Sequence, residues 1–156
     1  MRSQGEIESA VCDGVVRFHS EYMGRGPRDI HGHLLGTLLV VRLQDALTPA
    51  ERRLVDAATG HGDATQGHGN GGGHGNGNGQ NGSGNGGNGA DGRLLLKQLR
   101  SHLVALARPR LVEMVEGATG VEVVSVHHDI STITGEEVLM FSLAASPACR
   151  RRRGDP

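Results

Sequence analysis

The chain lacks long apolar runs. Residues 38–41 and 138–141 hold four large apolar side chains each, far short of the ~20 that span a bilayer. The N-terminal residues, MRSQGEIESAV, offer no apolar stretch of the kind a signal peptide needs. Cysteine is scarce: Cys12 and Cys149 stand alone without CxxC spacing, which excludes a disulfide framework and a thiolate zinc site. Charge of one sign is missing too. A formal net charge of −1 argues against a nucleic-acid binder. Lysine is nearly absent, with only Lys97 among the 16 basic residues. These absences point to a cytoplasmic protein without cofactor, metal or nucleic-acid partner.

Glycine is abundant but unevenly placed. Of 26 glycines, 16 lie between residues 60 and 92, interleaved with Asn70, Asn76, Asn78, Asn81, Asn85 and Asn88. Such a stretch buries nothing and loses much backbone entropy on ordering, so it reads as a solvated insertion. A loop of this length costs only about 2 kcal/mol more than a short one. Outside it, the apolar share is that of an ordinary globular domain. One domain is expected, in two halves: residues 1–59, a disordered insertion at 60–92, residues 93–145, and a flexible tail at 146–156. That tail carries Arg150, Arg151, Arg152 and Arg153, a feature suited to weak contact with an anionic membrane.

Ile7, Val11, Val15, Phe18 and Tyr22 recur at helical spacing, which predicts a helix over 6–23 ending at Gly24. Residues 29–35 and 38–44 are rich in branched apolar side chains. Gly36-Thr37 between them has the form of a two-residue hairpin turn, and one strand continuous through Gly36 is the alternative. In Thr48-Pro49-Ala50-Glu51, Thr48 can cap, Pro49 fits the first helical position and Glu51 can complete a capping box. A helix over 49–58 follows. Beyond the glycine tract, Leu96, Leu99, Leu103 and Leu106 form a stripe from near Arg93, continued by Val112 and Val115. Pro109 inside that stripe predicts a kink, or a break into two helices, near residues 105–108. Residues 121–130 and 138–143 alternate as a second hairpin. Grouped strands and grouped helices imply an α+β two-layer sandwich, with an antiparallel sheet of about four strands against two or three helices.

Three constellations carry candidate chemistry. His31-x-His33 puts two imidazoles on one strand face, and His127-His128 offers one more; His61, His68 and His74 are irregularly spaced. Ordinary histidines explain these better than a metal site. Glu21 and Arg25 flank a helix end in EYMGRGP, and Arg25 is a fork-shaped donor for a carboxylate or a partner's acid. Asp129, Ser131, Thr132 and Thr134 crowd the 129–136 connection, which either satisfies its own backbone or binds an ion or oxyanion. No nucleophile-elbow sequence accompanies the Ser, His and Asp residues.

Taken together, GEIESAV with EYMGRGP, then VRLQDALTPAE, then ARPRL with TGVEVVSVHHDISTITGEEV resemble the MpsC-like family. Its name links it to a sodium-translocating, membrane-potential-generating system. The resemblance implies a non-catalytic accessory or regulatory subunit of a membrane sodium/ion or inorganic-carbon transport system, peripheral to the inner face of the cell membrane. It brings no catalytic residues to carry over. Its expected partner is a membrane transport protein subunit. Contacts are expected at Glu21, Arg25, Arg108, His127, Asp129, Ser131, Thr132 and Thr134. Two other readings stay open: an enzyme binding a small molecule or metal through the 129–136 loop, and a homodimeric structural protein whose twin covers its sheet.

Overall fold

The structure, a computed structural model, describes residues 1–58 and 87–150. Helix α1 spans Gln4–Met23. Ser3 and Glu6 cap its start reciprocally: Ser3 N–H donates to Glu6 Oε2 (2.6 Å), and Glu6 N–H donates to Ser3 Oγ (3.3 Å). Gly24 ends it at φ 73°, in the left-handed region open to glycine. Ile7, Val11, Val15 and Phe18 of the predicted stripe are buried and Tyr22 is partly so, with His19 buried beside them.

Strands β1 (Asp29–Leu35) and β2 (Leu38–Gln44) form the first hairpin, turning at Gly36 with φ 62°. Helix α2 (Pro49–Ala58) begins with the expected capping box: Thr48 N–H donates to Glu51 Oε2 (2.7 Å) and Glu51 N–H to Thr48 Oγ1 (3.3 Å). Helix α3 spans Gly87–Thr119, and the second hairpin joins β3 (Val123–Ile130) to β4 (Glu137–Leu143).

The sheet order is β1-β2-β4-β3, all antiparallel. The two halves of the chain therefore meet at β2 and β4, in register at Val40 and Met140. One sheet face presents Leu39, Val41, Leu43, Leu139, Phe141 and Leu143 to α1 and α3, and this seam is the main core. The α+β sandwich expected from the sequence is the observed architecture.

Helix α3 departs from expectation in three ways. It starts at Gly87, six residues before Arg93. Gly87, Gly89 and Gly92 each disfavour that extension by about 1 kcal/mol, against which each residue added to a helix anchored by its leucines gains one backbone hydrogen bond without a new nucleus. It also runs unbroken through Pro109, so the expected break into two helices is absent. Pro109 and Ala105, whose carbonyl loses its usual partner, are both exposed, and water can serve that carbonyl. Finally, the buried stripe is rotated. Leu96, Arg100, Val104, Ala107, Leu111 and Val115 face inward, whereas Leu99 and Leu106 face solvent.

Candidate functional site

The strings GRGP, LTPAE and HHDISTITGE converge on the β2–α2 connection. Arg25 donates to the Leu47 carbonyl (2.9 Å) and to Asp45 Oδ2 (2.9 Å). Asp45 also accepts from Arg52. The hydrogen bond from Arg25 holds the Asp45 carboxyl below the usual range. From the other side, Ala46 N–H donates to the Gly135 carbonyl (3.0 Å). Gly135 has φ 71° and lies against Leu47. Here a side chain would be strained by the backbone itself.

Beneath this junction lies a buried ionic cluster drawn from every layer of the fold. Arg100 of α3 is fully buried. Its Nε and Nη2 donate to the two oxygens of Glu51 (both 2.7 Å), Nη2 also to the Ala46 carbonyl (2.6 Å), and Nη1 to Glu137 Oε2 (3.2 Å). Glu137 of β4 is fully buried as well. Its Oε1 lies 2.6 Å from His128 Nε2 of β3, and its Oε2 lies 2.8 Å from His19 Nε2 of α1. The His19 contact is close but poorly directed, and neither of that ring's nitrogens makes a well-aligned hydrogen bond. His128 Nδ1 is likewise buried without a partner.

Burial pushes the Glu137 carboxyl upward. The hydrogen bond from His128, the close approach of the His19 ring and the charge of Arg100 outweigh burial and hold it at about 2. Burial also raises Glu51, but the hydrogen bond from Arg100 leads the effects that bring it below its ordinary value. Glu137 is thus an ionised carboxylate in the protein interior, an arrangement that persists only with close partners.

The residues singled out from sequence occupy separate places. Asp129 pairs with Lys97 (2.8 Å), whose hydrogen bond lowers the carboxyl. Thr132 is buried. Ser131 Oγ accepts from Thr134 N–H (3.2 Å) and Thr134 Oγ1 from Glu136 N–H (3.3 Å), so both hydroxyls serve their own turn. Asp129 and Ser131 border one shallow depression with Lys97 and Glu136. Thr134 borders another with Arg28 and Asp45. Glu21 lies elsewhere, in a groove of about 250 Å³ between α1 and α3. It pairs there with Arg110 (2.8 Å), the neighbour of Leu111 and not the exposed Arg108. His127 points out of the sheet, bonded to Ser125 (3.1 Å). His33 faces outward three strands away through the register His33–Val40–Met140–His127, about 14 Å by strand spacing. His61, His68 and His74 lie outside the described residues. Among the described residues no group of three His, Cys, Asp or Glu side chains can hold a metal ion.

Sequence reading missed His19, Arg100 and Glu137, and of the His127-His128 pair it chose His127. One signal was present: period-2 alternation puts His128 on the face of Val126 and Ile130, toward the core. It also missed the outer face of α3. Leu95, Leu99 and Leu106 are 57%, 48% and 65% exposed, and with His102 they keep a 4-3-4 spacing along one side of the helix. Among the described residues no helix is long and apolar enough to cross a membrane.

No solved structure matches this chain. The chain is 28% identical over 142 residues to YbcI, an uncharacterized protein of Bacillus subtilis (strain 168), covering 91% of this chain and 89% of YbcI. Residues 3–68 and 87–145 match the family described as Na+-translocating membrane potential-generating system (MpsC), leaving 69–86 unmatched between them. The three strings that meet at the β2–α2 connection fall within those matched residues, and the chain belongs to the MpsC family.

Proposed function

We propose that this protein is a non-catalytic accessory subunit of a sodium-translocating membrane system, acting by docking from the cytoplasmic side. The observation that carries this reading is the outer leucine stripe of α3. Leu95, Leu99 and Leu106 sit at coiled-coil-like spacing on a helix whose opposite side is already committed to the core. An exposed apolar patch of this kind marks an interaction surface. Ile133, 83% exposed at the tip of the β3–β4 connection, adds an anchor, and Lys97–Asp129 ties the base of that connection to α3.

The enzyme reading requires Arg25, Asp129 and the loop hydroxyls to converge on one cleft. Arg25 is instead engaged by Asp45 and Leu47, and Asp129 by Lys97. In the docking account these residues hold the connections in shape, and Asp129, Ser131 and Thr134 form the polar rim beside Ile133.

Affinity purification of the full chain from its native host, with the membrane fraction retained, tests the reading. An integral membrane protein is expected to co-purify, and to be lost from a Leu99→Gln/Leu106→Gln variant that keeps its circular dichroism. Recovery of the chain free of any membrane protein in repeated mild extractions would refute it.

A further inference from the structure

The groove between α1 and α3 is lined by two kinds of surface. Its floor is apolar, built from Phe18 and Tyr22 of α1 with Leu111 and Met114 of α3. Met114 lies hard against the α1 backbone because position 14 is glycine, where a Cβ would stand 2.6 Å from its Cγ and Sδ. Arg17, Glu21 and Arg110 complete the lining, and all three are exposed. Arg110 is already engaged twice: its Nη1 donates to Glu21 Oε2 (2.8 Å), and its Cζ stands 5.9 Å from the centre of the Tyr22 ring. Arg17 is not so engaged. Its Nε donates to the Asp13 carbonyl (3.3 Å), and among the described residues its two Nη atoms have neither an acceptor nor an acidic partner. The lining therefore carries one unanswered positive charge beside an apolar floor.

We propose that this groove binds a small monocarboxylate with an apolar body. Arg17 takes the carboxylate through its two free nitrogens, the edge-to-edge match of guanidinium and carboxylate, and the body lies on Phe18, Tyr22 and Met114. The groove measures about 250 Å³, just under the roughly 300–1,000 Å³ of ordinary small-molecule sites, which limits the occupant to a short chain or a single ring. A nucleotide is too large, and its phosphates bring more negative charge than one free arginine answers beside Glu21. An inorganic anion would leave the apolar floor uncovered, and a neutral apolar molecule would leave Arg17 unanswered. The inference stands apart from the docking reading, which uses none of these residues.

Titration of the full chain with octanoate, followed by NMR, is the test. Tyr22 is the only tyrosine of the chain, so its ring signals need no assignment, and Met114→Leu identifies the Met114 methyl. Both should shift saturably, with a Kd of about 1 mM, as ordinary ligand efficiency gives for about ten heavy atoms. Octanol and acetate, each lacking one half of the recognised chemistry, should bind at least tenfold more weakly. Arg17→Gln should weaken octanoate at least tenfold, whereas Arg53→Gln, an exposed arginine on α2, should not. Octanol binding as well as octanoate, octanoate shifts that spare Tyr22 and Met114, or an unchanged Kd in Arg17→Gln overturns the proposal. Shifts of the same two signals on raising protein concentration alone would give the groove to a second copy of the chain, and overturn it as well.

Discussion

Arg100 shows how much one side chain can hide. An arginine in a leucine-rich helix reads as the solvent face, because isolated charge is almost never buried. Here Glu51 and Glu137 take up its donors, and both acids arise far away in sequence. Arg100→Ala would strand two carboxylates without their cation, at a cost of roughly 3–5 kcal/mol, to be read from urea unfolding at neutral pH. Glu137 gives a second prediction, in acid. Its folded-state carboxyl is depressed to about 2 from the usual 4.5. Its contribution is therefore complete above the unfolded value and is lost as pH falls from about 4.5 toward 2. The full amount is roughly 3 kcal/mol. Urea midpoints measured down this range should fall more steeply in the wild type than in a folded Glu137→Gln variant. Neither residue was legible beforehand, since a buried ion pair leaves no local pattern. The Thr48–Glu51 capping box was legible, and its glutamate proves to serve Arg100 as well.

At the scale of elements, local signals did well wherever one face of an element meets the core. The α1 stripe, the Gly24 stop, both hairpins and the start of α2 follow from spacing and turn chemistry. Helix α3 resisted because it is apolar on two sides. The outward leucines imitate a core stripe, and the inward stripe is interrupted by Arg100. Pro109 was expected to kink the helix or break it in two, and the break is absent. The inward residues Val104, Ala107, Leu111 and Val115 keep both sides of it packed on the core. The proline sits on the exposed side, where nothing else opposes its removal. Pro109→Ala should therefore stabilise the protein by about 1–3 kcal/mol, restoring one backbone N–H to the helix, and thermal unfolding will show it as a raised midpoint. At the α1–α3 crossing two effects oppose each other. A Cβ at Gly14 would come within 2.6 Å of Met114 Cγ and Sδ, so that flexible side chain, which borders the groove, must shift. The gain in helix propensity of about 1 kcal/mol offsets this, and Gly14→Ala should leave the thermal midpoint close to that of the wild type.

For the whole molecule, the two halves of the chain are joined by β2–β4 pairing, and the family match resumes at residue 87. Removing residues 69–86 should leave the fold intact and raise stability by about 1 kcal/mol, as expected from shortening the connection between α2 and α3 nearly threefold. For the proposed membrane docking, Arg150 to Arg153 would add a separate electrostatic contribution. At about 1 kcal/mol each near an anionic surface they offer ~4 kcal/mol, which falls with salt and corresponds to millimolar binding. Under the proposed docking, stable attachment would therefore need the folded domain, with the leucine stripe of α3 as its contact. Co-sedimentation with native membranes at physiological salt measures this most directly, comparing the wild type, a chain ending at Ala148 and Leu99→Gln/Leu106→Gln. The account predicts a modest loss on truncation and a large loss from the leucine substitutions, with little binding to protein-free anionic vesicles. Equal sedimentation with those vesicles, abolished by truncation alone, would contradict it.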